Sequence, residues 1–167
     1  MSVLRAGVIG LGVGRKHLDA YASHPDTKLV RVCDWDREKL AEAKSVYRDV
    51  ETTTDANDIL SATDIDVVSI ASFDNYHCDQ ILAGLENAKH LFVEKPLCLT
   101  RSELTSIVDV YRHKTELRLS SNVILRCSPR FLDLKHKIDD GQLGEIFHIE
   151  GDYHYGRLHK LTSGWRG

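Results

Sequence analysis

Cysteine is scarce in this chain and never clustered: Cys33, Cys78, Cys98 and Cys127 lie far apart, with no C-x-x-C pair among them. Such spacing argues against a disulfide framework and reads as four free thiols in a reducing compartment, so a cytoplasmic protein is expected. Long apolar runs are missing too. No segment is long enough to span a bilayer. Near the N-terminus Val8, Ile9 and Leu11 are interrupted by Gly10 and Gly12, and no signal peptide is read there. Neither sign of charge dominates: the formal net charge is -3 at pH 7, which gives no electrostatic reason to expect nucleic acid or an anionic membrane as partner. His148, His154 and His159 are too scattered for a zinc site, so no metal is expected. Repeats and low-complexity tracts are absent as well. These absences leave a globular protein whose favoured ligands are small molecules.

What the sequence does have is alternation. Its 167 residues, 42% hydrophobic and 28% charged, suit one domain, or one domain with a fragment of a second. Apolar runs and helix-like stretches follow one another, as in a parallel sheet whose strands are joined by helical crossovers on both faces. The first strand runs about Leu4 to Ile9 and the second Leu29 to Cys33. Between them a helix begins near Arg15, with Leu18, Tyr21 and Ala22 on one face. Asp36 caps a helix bearing Leu40, Ala43 and Tyr47, before a weak strand near Val50 and a further helix around Asp55. Val67, Val68 and Ile70 form a β-branched run of the kind buried on both sides, hence central. A helix from about Asn75 turns Ile81, Leu82 and Leu85 inward, and Leu91, Phe92 and Val93 make the next strand.

Thr100 and Glu103 read as a capping box for a helix bearing Leu104, Ile107, Val108 and Tyr111. Leu117 to Val123 is a further strand, and Ser128 with Pro129 opens a helix stopping at Gly141. From Glu145 to Tyr155 apolar and polar residues alternate, placing Phe147, Ile149, Tyr153 and Tyr155 on a strand face that needs a partner. The expected architecture is α/β: a Rossmann-type doubly wound parallel sheet over residues 1–122. The beginning of a truncated α+β substrate domain is expected over residues 123–167.

The chemistry begins at G-V-I-G-L-G-V-G-R-K-H, which ends a strand and opens a helix. Gly10, Leu11, Gly12, Val13 and Gly14 form a turn able to cradle a dinucleotide pyrophosphate at the helix start. A Cβ at Gly10 strains the turn, and one at Gly12 keeps phosphates from the backbone. Gly14 stands one residue earlier than the third glycine of G-x-G-x-x-G, and Arg15 occupies that place. Asp34, at the end of the second strand and roughly 20 residues on, can accept hydrogen bonds from the adenosine ribose. It favours NAD, while neighbouring Arg37 keeps NADP possible. The alternatives stay open here: a structural glycine turn, an aspartate that caps a turn, and a Trp35 placed either near the adenine or in packing.

With these residues in view, the chain resembles the N-terminal part of the Gfo/Idh/MocA oxidoreductases, the glucose-fructose oxidoreductase, inositol dehydrogenase and rhizopine-catabolism family. The likeness rests on Gly10 to His17, Asp34, Ser69 to His77, the E-K-P triplet at Glu94 to Pro96, and Asn122 with Arg126 and Pro129. It implies an NAD(P)-dependent dehydrogenase acting on a hydroxyl-bearing carbon of a sugar, nucleotide sugar or inositol. Lys95, beside Glu94, would orient the substrate hydroxyl next to the nicotinamide and help its proton leave, in a place where burial can make a lysine less basic; its other reading is an ordinary solvated lysine in a strand-ending turn. Pro96 would fix the backbone there, through a cis bond in one reading. The loop after the central strand, Ala71, Ser72, Phe73 and Asn75, would line the cofactor at the carboxyl edge of the sheet. His77 is read either at the nicotinamide side or in a local hydrogen bond, and Asn122 either on the nicotinamide carboxamide or as a turn residue.

In this family a D-x-x-x-H type segment of the second domain completes the lysine's work, and the chain lacks it. The ending H-K-L-T-S-G-W-R-G resembles the stretch just before that segment. The chain is therefore expected to bind NAD yet turn over no sugar or polyol well, and to associate with copies of itself through its uncovered strand. The other reading is a non-catalytic dinucleotide-binding or scaffolding protein.

Overall fold

The computed structural model describes residues 3–154 and 156. Six strands, β1 (Leu4–Ile9), β2 (Thr27–Cys33), β3 (Glu51–Thr53), β4 (Val67–Ile70), β5 (His90–Val93) and β6 (Leu119–Ser121), form one sheet in the order β3-β2-β1-β4-β5-β6. All five pairings are parallel. Chain direction across the sheet therefore reverses between β1 and β4, and the crevice beyond their carboxyl ends is where such sheets take ligands. The expected central strand is indeed central, with Val68, Ser69 and Ile70 fully buried.

Alternation along the strands sorts the core into two layers. Val8 and Val32 pack with Leu18 of α1 (Arg15–Ser23) and with Leu40 and Ala43 of α2 (Arg37–Val46). Their neighbours Ile9 and Cys33 face the other way. They pack with α3 (Asn57–Leu60), α4 (His77–Glu86) and α5 (Arg101–Tyr111) through Ile59, Ile81, Leu85 and Ile107. Burying a side chain such as Ile81 or Leu18 stabilises the fold by roughly 2 kcal/mol, and cutting either to alanine costs about 2–5 kcal/mol once the cavity is counted. The sheet is thus doubly wound, as its sequence pattern implies.

Local boundaries follow the expected chemistry with some corrections. Asp36 caps α2 by accepting from Glu38 N–H at 2.9 Å. Thr100 and Glu103 make both bonds of the capping box at the start of α5. Of the apolar residues spaced along α1 and α5, Ala22, Leu104 and Val108 are exposed, because the sheet covers a narrower stripe of these helices than the apolar spacing spans. The helix near Asp55 lasts only four residues, and a short 3₁₀ turn, Asp74–Tyr76, precedes α4. Lys89 is buried and ties down the chain before β4 by donating to the carbonyls of Ala62 and Ile65.

The chain divides into two compact units, Met1–Val123 and Ile124–Gly167. In the second, α6 (Pro129–Asp139) carries Pro129 at its start and two i,i+4 ion pairs, Asp133 with Lys137 and Lys135 with Asp139. It ends before Gly141, whose φ of +71° suits only glycine comfortably. The alternating stretch from Glu145 is not a strand: residues 145–154 carry no ladder bonds. Period-two patterning supplies a face but no hydrogen-bonding neighbour, and among the described residues none is offered. Tyr155, His159 and the H-K-L-T-S-G-W-R-G ending lie outside the described residues. No helix among those described is long and apolar enough to cross a membrane.

Candidate dinucleotide site

The glycine turn leads from β1 into α1 at the switch point. Gly10 has a φ of +88°, and a Cβ there would overlap the Ala71 carbonyl and lie 2.7 Å from Ser72 N. At Gly14 a Cβ would run into the Gly10 carbonyl oxygen and sit 3.1 Å from Ala71 Cβ. Gly14 therefore provides the close helix-to-strand approach usually supplied by the third glycine, one position early. Gly12 is different: a Cβ there would meet nothing within 4 Å among the described residues. Packing does not call for glycine at that position, whereas an approaching anion does. Gly12 and Val13 are exposed, and their N–H groups have no acceptor among the described residues. The start of α1 also has no side-chain cap. Exposed N–H groups at the positive end of a helix, with a glycine that leaves room, fit a pyrophosphate.

Asp34, at the end of β2, is bound to this turn. Its Oδ2 accepts from Leu11 N–H at 2.7 Å, and its Oδ1 accepts from Asp36 N–H at 2.9 Å. The residue is only 8% exposed, and Lys39 Nζ stands 3.7 Å from Oδ2. Each carboxylate oxygen can accept more than one bond, so capacity for ribose hydroxyls remains. Asp34 nonetheless has a structural duty that its position in the sequence does not reveal. Leu11 is buried in the core beside Leu18, while Val13 is exposed. Trp35 is 63% exposed and leans on Phe73, ring centroids 4.9 Å apart, joining the loop after β2 to the loop after β4.

The other half of the crevice is built by the ends of β4, β5 and β6. Ser72 donates to Gln80 Oε1 at 2.7 Å, and Asn75 is exposed. His77 is fully buried, with Nδ1 2.7 Å from the Pro96 carbonyl and Nε2 3.2 Å from the Ser72 carbonyl. It is wedged between two loops, buried rather than open at the crevice, and its shorter contact is to a residue 19 positions away rather than within its own helical turn. The Lys95–Pro96 bond is cis. Lys95 is exposed, so the burial invoked for it in the sequence reading is absent among the described residues, and its ammonium has no partner there.

Glu94 is the centre of this half. Its Oε1 accepts from Asn122 Nδ2 at 2.7 Å and stands 3.2 Å from His17 Nε2, and its Oε2 accepts weakly from Lys95 N–H at 3.3 Å. The motif from Gly10 to His17 gives His17 no separate role. Its signal was available: Gly14, His17 and Tyr21 share a helical face, and Tyr21 reaches Ser69 of β4 at 3.0 Å.

All four thiols are free, and burial pushes Cys33 up to about 12, which makes it inert as a nucleophile. Among the described residues no group of three or more His, Cys, Asp or Glu side chains could hold a metal ion.

A parallel sheet with this strand order, a glycine turn at its switch point and an acidic residue ending β2 defines a Rossmann-type dinucleotide-binding domain. Residues 4–122 match the family model described as oxidoreductase family, NAD-binding Rossmann fold, and the chain belongs to that Gfo/Idh/MocA family. An inositol 2-dehydrogenase of Salmonella typhimurium is 26% identical over 154 residues, covering 90% of this chain and 46% of that protein. A glycosyl hydrolase family 109 protein 1 of Bacteroides thetaiotaomicron is 26% identical over 177 residues, or 99% of this chain and 36% of that protein. The crystal structure of scyllo-inositol dehydrogenase from Lactobacillus casei, with bound cofactor NAD(H) and scyllo-inositol, superposes with a TM-score of 0.82 at 27% identity. That match covers 87% of this chain and 43% of the other. The chain spans less than half the length of these relatives.

Proposed function

We propose that this chain binds NAD(H) and forms the cofactor half of a dehydrogenase acting on a hydroxyl-bearing carbon of an inositol or sugar. The observation that carries the reading is the open position at Gly12, beside N–H groups that lack acceptors and a helix start that lacks a cap. The likeness to a scyllo-inositol dehydrogenase with bound NAD(H) supports it. When bound, the nicotinamide supplies the hydride acceptor or donor. Gly12 and Val13 hold the pyrophosphate through their N–H groups. Asp34 receives the ribose hydroxyls on its remaining lone pairs, and Trp35 lies at the adenine end. Ser72, Asn75, Glu94 and Asn122 border the nicotinamide half. Lys95 orients the substrate hydroxyl, and its cation stabilises negative charge on that oxygen as the proton leaves.

Isothermal titration of the chain with NADH tests the reading, with Gly12→Val as the control. Binding by the wild type and its loss in the variant are expected; a wild type that ignores NADH sinks it. NADP(H) in the same cell measures how far Arg37 and Lys39 offset Asp34. The glycosyl hydrolase among the relatives favours a second reading, in which the bound nucleotide serves cleavage of a glycoside. Net NADH formation with free inositol, against release of sugar from a glycoside by the full-length relative of this chain, separates the two.

The reading extends to setting and assembly. Four free thiols suit the cytoplasm. Phe147 and Ile149, 96% and 81% exposed in the second unit, are the apolar surface through which copies would associate, and sedimentation of a Phe147→Asp variant tests that.

A further inference from the structure

Beneath α1, at the carboxyl ends of β5 and β6, the Glu94 carboxylate holds two side chains from elsewhere in the unit, His17 and Asn122. A carboxylate only accepts, so the His17 ring must carry a proton on Nε2 to bond it. The ring's Nδ1 is buried and has no hydrogen-bond partner among the described residues. The ring also lies edge-on to Phe92, centroids 5.3 Å apart. An apolar side chain would pack against Phe92 without stranding a nitrogen, so the imidazole is poor filler there. What it adds is a second donor to Glu94.

The consequence falls on Asn122. Its Nδ2 donates to Glu94 Oε1 at 2.7 Å, which fixes which way round the amide sits. Its Oδ1 accepts from nothing among the described residues. An acceptor held in place at the end of β6, on the nicotinamide side of the switch point, matches the N–H groups of a carboxamide.

We infer that His17 is a positioning residue: by holding Glu94 from the helix side it locks the Asn122 amide with its oxygen presented to the carboxamide of the nicotinamide. This rests on the dinucleotide reading above.

The experiment titrates NADH and ADP-ribose, which lacks the nicotinamide, into the full chain by calorimetry. Wild type, His17→Leu, His17→Gln and His17→Phe are compared, with melting temperatures alongside. His17→Leu is expected to weaken NADH by about fivefold or more and leave ADP-ribose within about twofold. His17→Gln, whose amide can again donate to Glu94, recovers most of the loss. His17→Phe, which can still pack on Phe92 but cannot donate to Glu94, shows the same NADH-selective defect and carries the test should His17→Leu fail to fold. Parallel losses for both ligands, or no loss at all, would overturn the inference and leave the dinucleotide reading standing. A wild type that binds neither ligand would instead remove the reading itself, and this inference with it.

Discussion

A methyl group added at Gly10 would strike the Ala71 carbonyl from a backbone at φ +88°, whereas one added at Gly12 would meet nothing within 4 Å. The two glycines should therefore fail in different assays. Gly10→Ala combines left-handed strain with overpacking and is expected to cost about 2–4 kcal/mol of folding stability. Gly12→Ala should change stability by no more than about 0.5 kcal/mol yet weaken NADH binding about tenfold. Urea unfolding and fluorescence titration of both variants check this, and equal NADH affinity in Gly12→Ala and wild type would contradict it. Asp34 needs a more careful substitution, because alanine there removes the acceptor of the buried Leu11 N–H as well as any ribose contact. Asp34→Ala should lose about 1–3 kcal/mol of stability. Asp34→Asn keeps one carbonyl for Leu11, so it should retain most of that stability and still bind NADH more weakly.

Among the elements, those legible in the sequence are the ones whose cause is local. The capping box at Thr100 and Glu103 and the cap at Asp36 involve residues three or fewer apart, and both are present. Thr100→Ala should accordingly cost about 1 kcal/mol, measured as a shift in urea midpoint, with little effect on NADH affinity. The glycine turn and the end of β2 were legible for the same reason, since backbone chemistry there dictates residue type. The network at Glu94 was not: its partners stand 77 and 28 positions away, and only the parallel stacking of β4, β5 and β6 under α1 brings them together. His77 illustrates the same limit, because its ring nitrogen Nδ1 meets the carbonyl of Pro96, 19 positions on. The alternating stretch beginning at Glu145 failed in the opposite direction. Its pattern is local, but a strand is a property of a pair, and patterning cannot provide the second member.

At the scale of the whole molecule, the groups assigned to the cofactor all fall in the unit ending at Val123, at the carboxyl edge of the sheet. At the opposite edge Arg5 of β1 grips Asp66, just before β4. Asp66 Oδ1 accepts from Nη2 at 2.8 Å, and Oδ2 accepts from the Arg5 backbone N–H at 2.8 Å and from Nε at 2.9 Å. These bonds clamp the two central strands and hold the Asp66 carboxyl down to about 2, from an ordinary 3.8. Because the folded form resists protonation, the unfolded chain takes up the proton first as acid is added. The clamp's contribution is therefore complete above about pH 4 and lost as the pH falls through about 2. Asp66→Asn lacks that ionisation, so its deficit in urea midpoint against wild type should be largest near neutrality and shrink steadily between about pH 4 and about pH 2. NADH affinity near neutrality should be the same in both proteins, since the clamp and the crevice lie at opposite ends of the strands. A deficit that stays constant across the acid range would mean the carboxylate is not what joins β1 to β4.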